Sequence, residues 1–323
     1  MESASFVKMK KFKRFSTLVS FLCMSVGTAA AQEPDKNQPQ LTFKSFKEEV
    51  GTVPTSSLKK VNGKSGQYHL LNPTPPALMR EMATDRPDKT ESPYTVDVGH
   101  YQMEMSLLGY TYDHDNPQEP NTQAETFNVT PMNLKGGLLN SVDLQLVIDS
   151  YISERTQVDS EVERKNGFGD LQTRLKINLW GNDSGSTALA VMPFVKFPTN
   201  GANLGNDTVE GGVIIPLAVA LPNEWNVGVM TEFDVSQNAA NEDYHVEFVN
   251  TITFSHSLIG DLNGYLEFFS KVNKEDDIPW VGTVDTGLTY ALTKDIQLDA
   301  GMNIGVTRSA DDLNPFCGLS IRY

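Results

Sequence analysis

The stretch Gly167–Trp180, GFGDLQTRLKINLW, decides the fold. Leu171, Thr173, Leu175, Ile177 and Leu179 fall on one side of it, and Asp170, Gln172, Arg174, Lys176 and Asn178 on the other. Successive side chains of a strand point to opposite faces, so this alternation spells a β-strand with one aliphatic and one charged face. About ten such residues, tilted, cross the hydrocarbon core of a bilayer. A strand that is apolar outward and polar inward fits a transmembrane β-barrel.

The same unit recurs along the chain. From Val96 onward about twelve alternating segments follow one another. Tyr101, Met103, Met105 and Leu107 oppose His100, Gln102, Glu104 and Ser106 in the first, Val98–Tyr112. The second, near Glu125–Leu138, is weak and interrupted by Pro131, and the third is Val142–Ile152. After the opening stretch come Thr187–Phe197, Gly212–Leu221, Trp225–Val235, Tyr244–Ile259, Leu262–Val272, Trp280–Leu292, a segment from Ile296 to Val306, and Asn314–Tyr323.

The connections alternate in length. Short ones fall at Asn140-Ser141, Gly181–Gly185, Pro222–Glu224, Ile259–Asp261 and Thr293–Asp295. Longer ones fall at Asp113–Thr122, Glu154–Asn166, Pro198–Val209, Ser236–Asp243, Asn273–Pro279 and Arg308–Leu313. Antiparallel barrel strands with short periplasmic turns and longer outer loops require this pattern, and an even strand number puts both termini in the periplasm. In lipid every backbone polar group must be paired within the protein, so the sheet has to close. Twelve strands enclose more space than side chains alone fill in an eight-stranded barrel, so a lumen is expected.

Composition agrees. Hydrophobic residues make up 39% of the 323, so helical membrane spans are excluded, while a barrel with a polar interior is not. The N-terminus reads as a secretory signal: Lys8, Lys10, Lys11, Lys13 and Arg14, an apolar run Leu18–Gly27, then Ala29-Ala30-Ala31 before Gln32. An uncleaved anchor is the alternative. Cleavage after Ala31 removes five bases and one acid, taking the net charge from −15 to −19. Such a chain has no general affinity for nucleic acid. Cys317 would remain as the only cysteine, which excludes an intramolecular disulfide and a cysteine metal cluster.

The expected organisation is a signal peptide over 1–31, an irregular periplasmic segment over 32–95 and an outer-membrane barrel over 96–323. Pro34, Pro39, Pro54, Pro73, Pro75 and Pro76 break up the middle part, with room for a helical turn or two at Phe43–Val50. Tyr68–Met82 carries apolar residues that suit docking on or in the barrel. Directly before the first strand stands TDRPDKTESP, Thr84–Pro93, in which Asp85, Arg86, Asp88, Lys89 and Glu91 crowd together. It reads either as a binding site or as an ordered plug held by charge pairs. The second is favoured, because closely spaced unlike charges mostly pair.

The segments TDRPDKTESPYTV (84–96), FGDLQTRLKINL (168–179), VMPFVKFPTNG (191–201) and the ending LTKDIQLDAGMNIGVTRSADDLNPFCGLSIRY (292–323) resemble the outer-membrane transporter family named for the MetA pathway of phenol degradation. The shared landmarks are Gly169-Asp170, Pro198-Thr199 and the D-x-G at Asp299–Gly301. The resemblance implies an outer-membrane barrel that passes small, often hydrophobic molecules. It carries over no catalytic residues. The final strand, with Leu319, Ile321 and Tyr323 alternating to a terminal aromatic, looks like the signal read by the outer-membrane assembly machinery of Gram-negative bacteria.

Functional residues are expected on the lumen face: Glu104, Gln172, Arg174, Lys176, Glu232, Glu247, Glu267 and Lys271. Such a mixed-charge wall either orients polar solutes by a transverse field or simply pairs its own charges; pairing is favoured. The adjacent Ser255-His256 face opposite sides and cannot serve as nucleophile and base together. His100 and His245 are lumen histidines near acids, read as hydrogen-bonded pore residues rather than catalysts. Asp276, Asp277, Asp311 and Asp312 are loop acids, read as solvated rather than as a metal site. No cofactor fingerprint occurs and no enzyme is expected. The expected partners are the lipid bilayer, a small-molecule solute and the assembly machinery. The leading reading is a passive channel. A structural or adhesive barrel with a closed lumen and a barrel enzyme acting on lipid are the rivals.

Overall fold

The computed structural model describes residues 67–114, 116–117, 120–202, 204–205, 207–237, 243–273 and 279–323. The signal-peptide and helical-turn expectations, and the loop acids at 276 and 277, lie outside the described residues.

Fifteen β-segments form one antiparallel sheet: β1 (Tyr101–His114), β2 (Thr122–Val129), β3 (Met132–Leu139), β4 (Val142–Ile148), β5 (Tyr151–Val158), β6 (Glu161–Gly167), β7 (Leu171–Trp180), β8 (Thr187–Phe197), β9 (Glu210–Ala220), β10 (Trp225–Gln237), β11 (Tyr244–Ile259), β12 (Leu262–Asn273), β13 (Val281–Thr293), β14 (Ile296–Gly305) and β15 (Leu313–Arg322). They amount to twelve barrel strands, because β2–β3, β4–β5 and β6–β7 are single strands broken by short kinks. Thr130 at φ 52° before Pro131 makes the first break. Gly169, which a Cβ would drive to 2.6 Å from Asp149, lies between the other two.

The barrel closes where β1 pairs with β15, from Gln102↔Arg322 to Tyr112↔Leu313. The last residue seals this seam: Tyr323 and Tyr101 exchange backbone N–H···O bonds at 2.9 Å each. Closure leaves no free edge within the bilayer, as lipid demands.

The outward face is the one the alternation specifies. Leu144, Leu179, Leu266, Leu288, Leu298 and Ile304 are exposed along it, as lipid-facing side chains should be. All three tryptophans sit at strand ends: Trp180 and Trp225 beside short turns, Trp280 beside a long loop. Each is about half exposed (50%, 43% and 48%), which suits a ring lodged at a membrane–water interface. The closed barrel with this apolar belt is an outer-membrane protein.

One expectation is corrected. Residues 154–166 were expected to form an outer loop, but β5 and β6 continue as a hairpin that turns at Asp159 (φ 52°) and Ser160. The run Glu161–Gly167 carries four charges in EVERK and shows no apolar face, because above the membrane both faces meet water. Strand pairing there is set by the neighbour, so period-2 hydrophobicity does not reveal it. The charges also blunt the outer edge of β6, which has no strand partner among the described residues.

Candidate functional site

The interior of the barrel is occupied. Residues 80–98 approach inward-facing groups on β1, β3, β4, β7 and β11–β15, contacts that only a segment inside the ring can make together. The way in is set by two glycines. Gly137 lets Val98 pair alongside it, since a Cβ there would stand 2.2 Å from the Asp97 carbonyl oxygen. Gly99, at φ 79°, then turns the chain into β1.

Asp85 is the electrostatic centre. It is 8% exposed and lies between two lysines, Lys176 of β7 at 2.6 Å and Lys135 of β3. Lys135 also pairs with Glu104, whose other oxygen accepts the backbone N–H groups of Asp85 and Arg86 at 2.9 and 3.1 Å. Burial opposes the Asp85 charge, yet the two ammonium groups hold its carboxyl well below the usual carboxylate range. Every charge in this cluster has a partner, the condition under which buried ions are tolerated.

The remaining charges of Thr84–Pro93 spread around the wall. Arg86 forms a two-point contact with Asp299 at 2.7 and 3.2 Å and lies over the Phe316 ring. Lys89 reaches Asp285 at 3.2 Å and Thr283 at 2.9 Å, with its ammonium 4.3 Å from the Phe269 ring. The Thr90 hydroxyl donates to Glu267 at 2.6 Å and contacts Thr251 and Thr253. Glu91 meets Arg174 at 2.5 Å. Below them, Asp143 accepts the Val96 N–H, Asn178 donates to the Pro93 carbonyl, and Arg322 donates to the Arg80 carbonyl.

Asp88 differs from its four charged neighbours. It makes no ion pair among the described residues and lies beside Thr253 and Glu267. Burial, with the Glu267 carboxylate beside it, pushes its carboxyl well above the usual range.

The lumen candidates therefore divide. Glu104, Arg174, Lys176 and Glu267 bind the interior segment directly. Gln172 accepts from Arg174 Nε at 2.7 Å, and Lys271 pairs with Glu247 at 3.3 Å. Glu232 faces Asp234 on its own strand. Arg174 pairs with Glu91 rather than with Glu232, Glu247 or Glu267. His100 is bonded to the Thr74 carbonyl at 2.7 Å, and His245 lies 3.5 Å from Glu247. His256 stacks on Trp225, away from Ser255. Two features went unread in the sequence. Lys135, Asp143, Asp285 and Asp299 complete the polar cluster, and inward-facing Met192, Phe194, Ile214, Met230 and Val249 pack into an apolar core inside the barrel. The available signals for that core were VMPFVKF in β8 and GGVIIPLAVA in β9, each apolar on both faces. Of the apolar residues before the cluster, Leu70, Leu71 and Leu78 are exposed (51%, 92% and 41%) and do not dock.

Two cavities flank the segment. One, of about 360 Å³, lies at the short-turn end between Asp88, Glu91 and Tyr94 and the wall from β9 to β14. The other, of about 310 Å³, lies at the long-loop end and is lined by Asp113, Glu154 and Asp311, with no basic side chain among its described lining residues.

The family model described as "Putative MetA-pathway of phenol degradation" matches residues 84–323, so the chain belongs to that family. No curated protein sequence matches it. Among solved structures, an outer membrane channel from Pseudomonas putida F1 superposes with a TM-score of 0.53 at 11% identity, over 75% of this chain and 100% of that one. The NanC porin gives a TM-score of 0.44 at 10% identity, over 68% and 98%. The first likeness shows a shared barrel fold.

Proposed function

We propose that this member of the family is a passive outer-membrane channel for small molecules, with residues 80–98 as its constriction. A closed barrel with a water-suited inner face and a cavity at each end supports that reading. Within it Asp85, Arg86, Lys89 and Glu91 tie the constriction to the wall. The transverse charges of Arg174, Glu91, Lys89 and Asp285 meet any solute that passes. The apolar core around Met230 gives the same passage a face for hydrophobic or aromatic solutes.

The chain is exported with cleavage after Ala31 and delivered by its C-terminal strand to the outer-membrane assembly machinery. Mass spectrometry of the membrane-extracted protein tests the first; retention of the Cys23 segment overturns it.

Liposome swelling with graded sugars, amino acids and aromatic solutes tests the channel itself. Passage of small solutes with a size limit is expected. The absence of flux for every solute, in the wild type and after the constriction is released, would leave a structural barrel with a closed lumen. The tight filling of the mid-barrel is the observation that favours this second reading.

A further inference from the structure

The cavity at the short-turn end has features that the ion-pair framework does not use. Asp88 lines it and is the only one of the five charged residues in Thr84–Pro93 without a counter-ion among the described residues. Tyr265 also lines it, 8% exposed, and its hydroxyl has no hydrogen-bond partner among the described residues. The ring is held in place by the wall: it lies across Gly287 and Gly301, where a Cβ would come within 2.7 Å of Tyr265 atoms. A buried phenol left unpaired is costly in isolation, and a buried carboxyl without a cation is held in its neutral form until one arrives. Pro93, Tyr94 and Ala218 add an apolar side, while Asn226 and Asn263 add amide groups. Arg86, the one guanidinium among the described lining residues, is already committed to Asp299.

We infer that this cavity binds a small organic cation, a protonated amine on an aromatic or apolar body, with the ammonium group at Asp88 and the body against Tyr94 and Tyr265. The inference rests on the channel reading, of which it names the solute class. An ammonium placed beside Asp88 favours its ionised carboxylate, offsetting the burial and the Glu267 charge that oppose it, and its N–H groups can donate to the Tyr265 oxygen. The size is suitable: about 360 Å³ falls within the range of small-ligand sites. The opposite mouth favours the same sign of charge, since Asp113, Glu154 and Asp311 line it without a base among the described residues. An anion of similar shape would meet Asp88 and Glu91 with no free cation among the described lining residues to receive it.

Calorimetric titration of the detergent-solubilised full barrel with benzylamine, benzyl alcohol and benzoate tests this. Benzylamine is expected to bind at least tenfold more tightly than the alcohol, and benzoate not at all. Asp88→Asn is expected to abolish the preference for the amine. Ala218→Phe, which fills the cavity from β9 without touching Asp88, is expected to abolish binding. Equal affinity for the three compounds, or an amine preference that survives Asp88→Asn, overturns the inference. If Asp88→Asn fails to assemble, the three-compound comparison and Ala218→Phe decide it. Binding is read without flux, so failure here is distinct from an absence of solute passage in liposomes, which would count against the channel.

Discussion

Replacing Asp85 by alanine should release the interior segment. The carboxylate stands 2.6 Å from Lys176 and also against Lys135, whose side chains are 0% and 2% exposed. It accepts the Ser92 N–H at 2.9 Å as well, tying the segment back on itself. Removing one member of a buried pair costs about 3–5 kcal/mol, because the partner is left charged and dry. Here the stranded charge can be relieved without unfolding the barrel: if residues 84–95 leave, water reaches Lys176 and Lys135. The penalty therefore falls on the docked state, lowering its ratio to the released state by roughly two to three and a half powers of ten. Single-channel recording of Asp85→Ala should show larger or more frequent openings. Limited proteolysis should cut between residues 80 and 98, where the wild type is protected. Heat-modifiable migration on gels checks that the barrel is folded, and Asp85→Asn, which keeps the shape, serves if alanine prevents assembly. A folded variant with wild-type conductance and wild-type protection would refute both the placement of the anchor and the constriction.

Acidification should not release the segment between pH 7 and pH 5. The Asp85 carboxyl is depressed, so its stabilisation is complete above the ordinary value of about 3.9 and is lost only as pH falls from there toward the native one. Proteolysis that sets in across pH 7 to 5 would contradict this. Leu175→Arg should impair assembly in lipid vesicles more than Gln172→Arg, by roughly 2–4 kcal/mol, since Leu175 faces lipid and Gln172 the interior; equal folding yields would count against the register. Deleting Tyr323 removes both backbone bonds to Tyr101 at the closing seam, so slower assembly and a lower unfolding temperature are expected, measured by gel shift on heating.

The barrel was legible in the sequence because the bilayer acts on each strand separately. Leu171 to Leu179 must be apolar at every second position whatever their neighbours are, so the period survives in a single stretch. Turn lengths alternate for an equally local reason, since one end of every hairpin is confined to the same side of the membrane. The outward register of β15 follows from these rules. The crowding of charge in Thr84–Pro93 was visible too, and so was its proximity to the first strand. Nothing local, however, joins Arg86 to Asp299, Lys89 to Asp285 or Asp85 to Lys135, because inward side chains answer to distant partners, 213 positions away for Arg86 and Asp299. The same holds for Met192, Ile214 and Met230, which could pack inside the barrel only once β8, β9 and β10 were curved around a common axis. It holds again for β5 and β6, which left the membrane and so lost the lipid that writes alternation into a strand. Lipid contact is a one-body constraint and leaves its period in the chain. Filling the lumen is a many-body one, and only the closed ring decides which charge meets which.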